Sequence, residues 1–191
     1  VEYTGFSNEA KDAFQRAVDI WAVLINSSVP INVEAHWEEL GDNVLGSAST
    51  TNYFRNFKGA NIPQSYYPVA LAEKISRKEI NGGQPDIFCR FSSDAPWYFG
   101  TSSIVPSSNY DFTSIVLHEL CHGLGFSSSM DVSGSSGSFG LSGTVNSKET
   151  YDNFIFDGAG VSMIDTNTIY KNPSAALKTA LTSQNVFFHT S

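Results

Sequence analysis

The sequence predicts an α+β fold in which a twisted mixed sheet is covered by a backing helix and by a second helix that carries potential metal ligands. Three patterns predict it. Apolar residues recur at the helical period after Ser7, alternate with polar residues after Pro30, and form an almost unbroken run before His118. These patterns are typical of an amphipathic helix, a half-buried strand and a helix that is buried on most sides.

The chain starts with a helix that packs on a sheet. Ser7 is a good N-cap, and the apolar positions after it predict an amphipathic helix of about five turns. These positions are Ala10, Phe14, Ala17, Val18, Trp21 and Ile25. Residues 30–38 then alternate strictly, which predicts a strand with Ile31, Val33, Ala35 and Trp37 on its buried side. His36 falls on the polar side, so we expect a solvated strand residue rather than a metal ligand.

Turn-forming residues divide the middle of the chain into short elements. In order, the residues predict a turn at 41–43, a strand over 44–51, a loop over 52–68, a short helix over 69–74, a turn at 81–85 and a strand over 86–91. An aromatic corner at 97–100 then leads to the second long helix.

The second long helix is predicted to run from about Phe112 to His122. Asp111 before it is a good N-cap, and its charge suits the positive end of the helix dipole. Gly123 and Gly125 follow at once, and glycine lets a chain leave a helix through a positive φ angle. A buried helix that stops in a sharp turn after His122 is more typical of an active site than of a surface helix.

This helix carries the segment His118-Glu119-Leu120-Cys121-His122. Two histidines four positions apart lie on the same helix face, close enough for their ring nitrogens to bind one ion. Glu119 lies beside the first histidine, where its carboxylate can reach a water on that ion. The H-E-x-x-H spacing is typical of zinc hydrolases, in which the metal generates the nucleophile at neutral pH.

The chain changes character after Phe126. Residues 127–143 are nearly all serine and glycine, which predicts a flexible loop too poor in apolar residues to build a core. Order returns at 151–157, and Asn172-Pro173 predicts the start of a last helix that runs to Leu181.

These patterns divide the chain into two parts. Residues 1–126 form an N-terminal catalytic subdomain with the sheet, the backing helix and the metal helix. Residues 127–191 form a loop-rich C-terminal part, which is an insertion or an incomplete C-terminal subdomain.

The two cysteines, Cys89 and Cys121, leave three possibilities open. They form one disulfide, which would favour an oxidising compartment, or they are two buried free thiols that act as small apolar residues. The third possibility makes Cys121 a metal ligand. Helical geometry argues against it, because Cys121 lies off the face that His118 and His122 share.

Composition restricts the class of partner and the compartment. The net charge of −8 argues against nucleic acid or an anionic membrane as the main partner. No stretch is apolar enough to span a bilayer, and no signal-peptide pattern is present at Val1, so the protein is intracellular or its leader has been removed. Charged residues make up only 16%, while Ser, Thr, Asn and Gly are plentiful, which suits an extracellular surface.

The segment His118-Glu119-x-x-His122-Gly123-Leu124-Gly125-Phe126, placed after a helix and strands, resembles the metzincin clan of zinc metallopeptidases. It is similar above all to leishmanolysin-like enzymes and related secreted bacterial proteases. The resemblance implies a metzincin-like catalytic domain, His118 and His122 as Zn²⁺ ligands, Glu119 as the general base, and Gly125 as the turn that redirects the chain. It also implies that the strand Ile87–Phe91 forms the rim of the cleft, where an extended substrate adds as a further strand.

The third zinc ligand departs from the clan pattern. Ordinary metzincins place it three residues after the turn glycine, where this chain has Ser128, a poor ligand. The methionine that follows the third ligand in the clan also has no counterpart, since Met163 precedes His189. The third ligand is therefore a residue beyond Ser191, or His189, or a carboxylate. The candidate carboxylates are Asp131, Glu149, Asp152 and Asp157, although for Asp152 we favour a loop or N-cap role.

The sequence thus predicts a secreted, extracellular zinc metalloendopeptidase, a hydrolase whose partner is a protein or peptide substrate. The alternative function is a non-catalytic secreted module for binding or adhesion, whose zinc site has decayed or is incomplete.

Overall fold

A computed structural model describes residues 1–141 and 146–189. The chain divides into two compact units, one of Val1–Tyr53 and Pro68–Gly125, the other of Phe54–Tyr67 and Phe126–Ser191. Our division at residue 126 placed residues 54–67 in the first part, whereas the structure assigns them to the second unit.

The described elements combine helices with short strands. In chain order they are β1 (Glu2–Thr4), α1 (Asn8–Leu24), β2 (Val33–Glu38), β3 (Gly46–Thr50), β4 (Tyr53–Phe54), β5 (Tyr67–Pro68), α2 (Val69–Ser76), β6 (Ile87–Ser92), β7 (Trp97–Tyr98), β8 (Tyr110–Asp111), α3 (Phe112–Leu124), β9 (Met130–Ser133), β10 (Ser136–Phe139), a 3-10 helix (Tyr151–Phe154), β11 (Ile155–Asp157), α4 (Ala175–Leu181) and β12 (Val186–Phe188). The fold is therefore of the mixed α+β class. None of the helices in these two described ranges has the length and apolar content needed to cross a bilayer.

A four-stranded sheet in the order β1-β2-β6-β3 forms the centre of the first unit. β1, β2 and β6 are parallel, and β3 runs antiparallel to β6 at one edge. The prediction that Ile87–Phe91 forms the rim of a cleft is wrong. β6 is paired along both of its edges, so β3 is the edge strand on that side.

α1 and α3 cover one face of this sheet. The buried residues of the layer between them are Phe6, Ala10, Ala13, Phe14, Ala17, Val33, Ala35, Ile87, Cys89, Phe91, Phe112, Val116 and Leu120. Phe112, the first residue of α3, is surrounded by rings of Trp37, Phe91, Trp97 and Phe99 at centroid distances between 5.0 and 5.4 Å. This aromatic packing anchors the N-terminal end of α3.

Two hydrogen bonds fix α3 against α1. The Trp21 indole N–H donates to the Leu117 carbonyl oxygen at 3.3 Å, and the Thr113 hydroxyl donates to the Ala13 carbonyl oxygen at 3.2 Å. Both bonds lie on the side of α3 that faces α1, so together with the aromatic packing they set the rotation of α3 about its axis.

The prediction for the first helix is confirmed, whereas the strand is shorter than predicted: β2 begins at Val33, and Ile31 and Trp37 are only partly buried. The Ser7 hydroxyl oxygen caps α1 by accepting a hydrogen bond from the Ala10 N–H at 3.2 Å. Val33 and Ala35 are buried, while His36 is half-buried on the opposite face, where its ring lies 2.8 Å from the Glu34 carboxylate.

α3 is two residues longer than predicted. Asp111 holds the N-cap position, but its carboxylate accepts a hydrogen bond from the Ser114 hydroxyl rather than from the helix backbone. The helix continues to Leu124 and ends at Gly125, whose φ of 115° is the left-handed conformation that the glycine predicted.

Gly123 lets α3 lie directly on β6. A Cβ atom at this position would lie only 2.4 Å from Cγ2 of Ile87 and 2.9 Å from two further carbons of the same side chain. Any larger residue would therefore push the end of α3 away from the sheet. Because His122 directly precedes Gly123, this contact sets the distance between the second histidine and the sheet.

The second unit contains more structure than we predicted. Residues 130–139 form the β9–β10 hairpin rather than a flexible loop, and Phe139 is buried in a core with Met163 and Leu177. The small side chains serve close packing, since a Cβ atom on Gly137 would lie 2.5 Å from the backbone nitrogen of Lys178 in α4. Residues 142 and 143, also predicted as loop, lie outside the described residues.

The start of the last helix was also predicted wrongly. α4 begins at Ala175, where the Ser174 hydroxyl oxygen accepts a hydrogen bond from the Leu177 N–H at 3.1 Å. Asn172 does not cap the helix, because its side-chain amide is bonded to both the N–H and the carbonyl oxygen of Phe139. The helix therefore starts two residues after Pro173, with Ser174 as its cap.

Two buried carboxyl groups lie beside the turn that leads into β6. Glu73 on α2 is 2% exposed and Asp86 is fully buried. One oxygen of Glu73 accepts hydrogen bonds from the N–H groups of Ile80 and Asn81, while its Oε2 and the Oδ1 of Asp86 have no hydrogen-bond partner in the described part of the chain. Burial raises the pKa of both carboxyl groups, and the negative charge of Glu79 adds to this effect.

We predict that Gly123→Ala lowers the free energy of unfolding by about 1–3 kcal/mol through overpacking against Ile87, although alanine favours helices by up to about 1 kcal/mol. Urea denaturation measures the change. In an Ile87→Ala background the same substitution should cost clearly less, because the colliding carbons are gone. The exposed Asp12→Ala on α1 serves as control. Equal costs in both backgrounds would contradict the direct contact.

We predict that Glu73→Gln makes stability less dependent on pH. The folded state holds the Glu73 pKa above its ordinary 4.5, so the free energy of unfolding falls as the pH rises from 4.5 through the folded-state pKa. Glutamine keeps the accepting oxygen but cannot ionise. Urea denaturation in steps from pH 4.5 upward should therefore show a smaller fall for this variant than for the unaltered protein. Glu39→Gln, at an exposed position, should leave the slope unchanged, and an unchanged slope in Glu73→Gln would refute the prediction.

Candidate metal centre

α3 brings the two predicted histidine ligands together. His118 is exposed and His122 is half-buried, one helical turn further along. Their Nε2 atoms lie 3.0 Å apart, and the rings are perpendicular with centroids 4.6 Å apart. Both imidazoles thus direct the same ring nitrogen to one point beside the helix.

This spacing fits a zinc ion. Two nitrogen ligands about 2.0–2.1 Å from a tetrahedral zinc lie about 3.3 Å apart. The observed 3.0 Å is close to that value, so the pair needs little rearrangement to bind an ion. The Nε2 atoms accept a metal when the imidazoles are neutral and their protons reside on Nδ1. The donor set present is therefore suited to one half of a zinc site.

Glu119 lies on the inner side of α3. It is 9% exposed, while its neighbour His118 is exposed. Its charge acts on Cys89 of β6: burial raises the pKa of the Cys89 thiol to about 12, with further contributions from the carboxylates of Glu119 and Glu34. Glu119 is thus a carboxylate at the boundary between the core and the exposed histidine face, which is where a general base is shielded from bulk water.

The cysteines are both free thiols, so the disulfide that the sequence left open does not form. Cys89 is fully buried and Cys121 is half-buried. Burial also raises the pKa of the Cys121 thiol. The possibility of two free thiols is therefore correct, and neither side chain shares the position to which the two Nε2 atoms point.

Ser128, at the usual metzincin position of the third ligand, has a structural partner in the second unit. Its hydroxyl donates to the fully buried Asp152 carboxylate at 2.6 Å. The same carboxylate accepts hydrogen bonds from the N–H and hydroxyl of Ser129 and from the N–H of Glu149. Four donors satisfy a buried charge that would otherwise be costly. Asp152 is neither a loop residue nor the N-cap that we favoured, since it lies inside the 3-10 helix, whose N-cap is Thr150. Its carboxylate instead joins Ser128 and Ser129 to this helix.

The other candidates for the third ligand also lie in the second unit. Asp157 accepts from the Tyr170 hydroxyl at 2.7 Å, a bond that holds its pKa below the usual range, and from two backbone N–H groups. The backbone of His189 donates to the Phe154 carbonyl oxygen, Asp131 is exposed on β9, and Glu149 is 3% exposed. Within residues 1–141 and 146–189, no three or more His, Cys, Asp or Glu side chains form a group that could hold a metal ion. The third ligand stays a prediction.

Two features of this region were missed by the sequence analysis. The Asp152 carboxylate joins residues that are 23 and 24 positions apart, a separation that no local pattern reports. The edge position of β3 could have been predicted from its sequence. Gly-Ser-Ala-Ser-Thr consists of small and mostly polar residues, whereas β6 is rich in large apolar residues. Strands that are covered and paired on both sides are typically the more apolar ones.

Comparison with known proteins places the chain in a family. The SPBPB7E8-like family matches residues 4–177, so the chain belongs to this family. No curated protein and no solved structure is significantly similar to the chain. The family description names no activity.

We predict that His122→Asn weakens Zn²⁺ binding at least 100-fold, because it removes one of the two converging nitrogens. Cys121→Ser, the neighbouring position on the same helix, should change the zinc dissociation constant less than twofold. Competition with a chromogenic chelator measures both values. An equal loss in Cys121→Ser would mean that Cys121 also takes part in binding, and an unchanged dissociation constant in His122→Asn would show that the histidine pair is not the site.

Proposed function

We propose that this SPBPB7E8-like protein is a secreted zinc-dependent endopeptidase of metzincin type, which hydrolyses peptide bonds with Glu119 as the general base. The observation that supports this most directly is the convergence of the two Nε2 atoms at 3.0 Å beside a buried glutamate. A pair of neutral imidazoles in this arrangement is a metal-binding geometry, and the intervening carboxylate supplies proton transfer.

The two histidines and Glu119 have different roles in this proposal. His118 and His122 would hold Zn²⁺ together with one further ligand. When bound, the ion supplies Lewis acidity, which lowers the pKa of a water molecule to around 7 and polarises a peptide carbonyl. Glu119 accepts a proton from the attacking water and then donates it to the leaving amine. The burial of Glu119 supports this role, because it limits the access of bulk solvent to the carboxylate.

The edge strand β3 offers a place for an extended substrate. Within residues 45–51, the backbone groups of the odd-numbered residues bond to the segment that contains β6. The Thr51 N–H donates to the Asp86 carbonyl oxygen, and the Leu45 carbonyl oxygen accepts from the Ser92 N–H, both at 3.0 Å. By the alternation of an antiparallel ladder, the N–H and C=O groups of Gly46, Ala48 and Thr50 point to the open edge. A peptide can pair with these groups as an added strand, and small side chains leave it room. This role replaces the one that the resemblance gave to β6.

The alternative is a secreted binding or adhesion module whose zinc site has decayed. Ser128 supports it, because the position that carries the third ligand in ordinary metzincins holds a hydroxyl engaged with Asp152. Such a module would bind zinc weakly or not at all and would not hydrolyse peptides.

We predict that Glu119→Gln lowers kcat for peptide hydrolysis by about 10²–10⁴-fold, the usual contribution of a general base. The amide keeps the size of the side chain but accepts no proton. Zinc content, measured by atomic emission, should stay at the level of the unaltered protein. The assay uses a quenched fluorescent peptide library with zinc-loaded protein.

Glu39→Gln is the matched control, since it makes the same chemical change at an exposed position outside α3. It should leave kcat and KM unchanged. Activity that survives in Glu119→Gln would exclude the proposed mechanism, and loss of both zinc and activity would show that Glu119 acts in binding the metal.

A further inference from the structure

The first unit contains a cavity of about 400 Å³ that the proposed hydrolytic site does not use. It lies between α1, the first residues of β2 and the inner side of α3. Its walls are apolar and include Val18, Trp21, Ile25, Val33, Leu120 and Leu124. Leu120 and Leu124 precede and follow His122 on α3 by two residues each. The helix that carries the two histidines therefore also forms one wall of the cavity.

The size and lining of this cavity select a class of ligand. A cavity of about 150 Å³ with aliphatic and aromatic walls holds one benzene molecule, so about 400 Å³ holds a hydrocarbon of roughly ten to fifteen carbons. Apolar walls with very few polar groups are typical of sites that bind a hydrophobic molecule and orient it at one end.

The polar side chains of the lining are already engaged within the chain. They are Gln15 and Ser27, and Val1 also lines the cavity. The Ser27 hydroxyl donates to the Val29 carbonyl oxygen, and the exposed Gln15 amide donates to the Asp19 carboxylate at 2.7 Å. The lining therefore selects an apolar chain and provides no charged side chain that would bind a charged head group.

We propose that this cavity binds a single aliphatic chain of about ten carbons, carried by a monomeric amphiphile with an uncharged head group. The chain lies against Trp21 and the two leucines of α3, and the head group stays in solvent near Gln15 and Asp19. The site is independent of zinc and of Glu119.

Trp21 reports on this binding directly, because its indole lines the cavity. Titration of the purified protein with decan-1-ol should produce a saturable shift of tryptophan fluorescence. Octan-1-ol should bind about 15-fold more weakly, since each buried CH₂ group changes the dissociation constant about fourfold. A response with no dependence on chain length overturns the proposal.

Two valines on α1 provide matched variants. Val18 lines the cavity, whereas Val23 is 87% exposed and does not. Val18→Phe fills the cavity and should weaken decan-1-ol binding at least tenfold, while Val23→Phe should leave it unchanged. If Val18→Phe does not fold, the comparison of octan-1-ol with decan-1-ol on the unaltered protein still tests the proposal. Equal binding of decan-1-ol by both folded variants overturns the proposal. The proposal is also overturned if the protein cosediments with neutral phosphatidylcholine vesicles but shows no saturable response to the monomeric alcohols.

Discussion

At Gly123, α3 lies on β6 with no side chain between them, and the rest of the site depends on that approach. The missing Cβ allows Ile87 to occupy the space at the end of the helix, and Phe112 is held in an aromatic cluster at the other end. The hydrogen bonds from Trp21 and Thr113 then set the rotation of the helix. A helix fixed at both ends and in rotation directs the two histidines to one point, so the 3.0 Å approach of their Nε2 atoms is a consequence of core packing.

The sequence predicted this part of the fold well, because its information is local. The helical period of α1, the alternation in β2 and the H-E-x-x-H spacing each follow from contacts within a few residues of one another. Gly125 was predicted as a left-handed helix end and has that conformation. The helix α3 runs two residues further than predicted and ends where the Gly125 N–H bonds to the carbonyl oxygens of Cys121 and His122.

The sequence predicted less well where structure depends on distant residues. Strand order is a property of the whole sheet, so β6 was taken for an edge although β3 holds that position. The segment 127–141 was predicted as a loop from its composition, yet its glycines allow β10 to pack on the backbone of α4. Asp152 illustrates the same limit, since its hydrogen bonds to Ser128 and Ser129 join segments that are far apart in the chain.

Zinc content and hydrolysis measured on one preparation test the central claim most directly. The purified chain should contain one zinc per molecule and cleave internal bonds of a peptide substrate. A chelator should remove both properties together, and added Zn²⁺ should restore both. A chain that takes up no zinc, or one that keeps cleaving peptides after the zinc has been removed, would contradict the account.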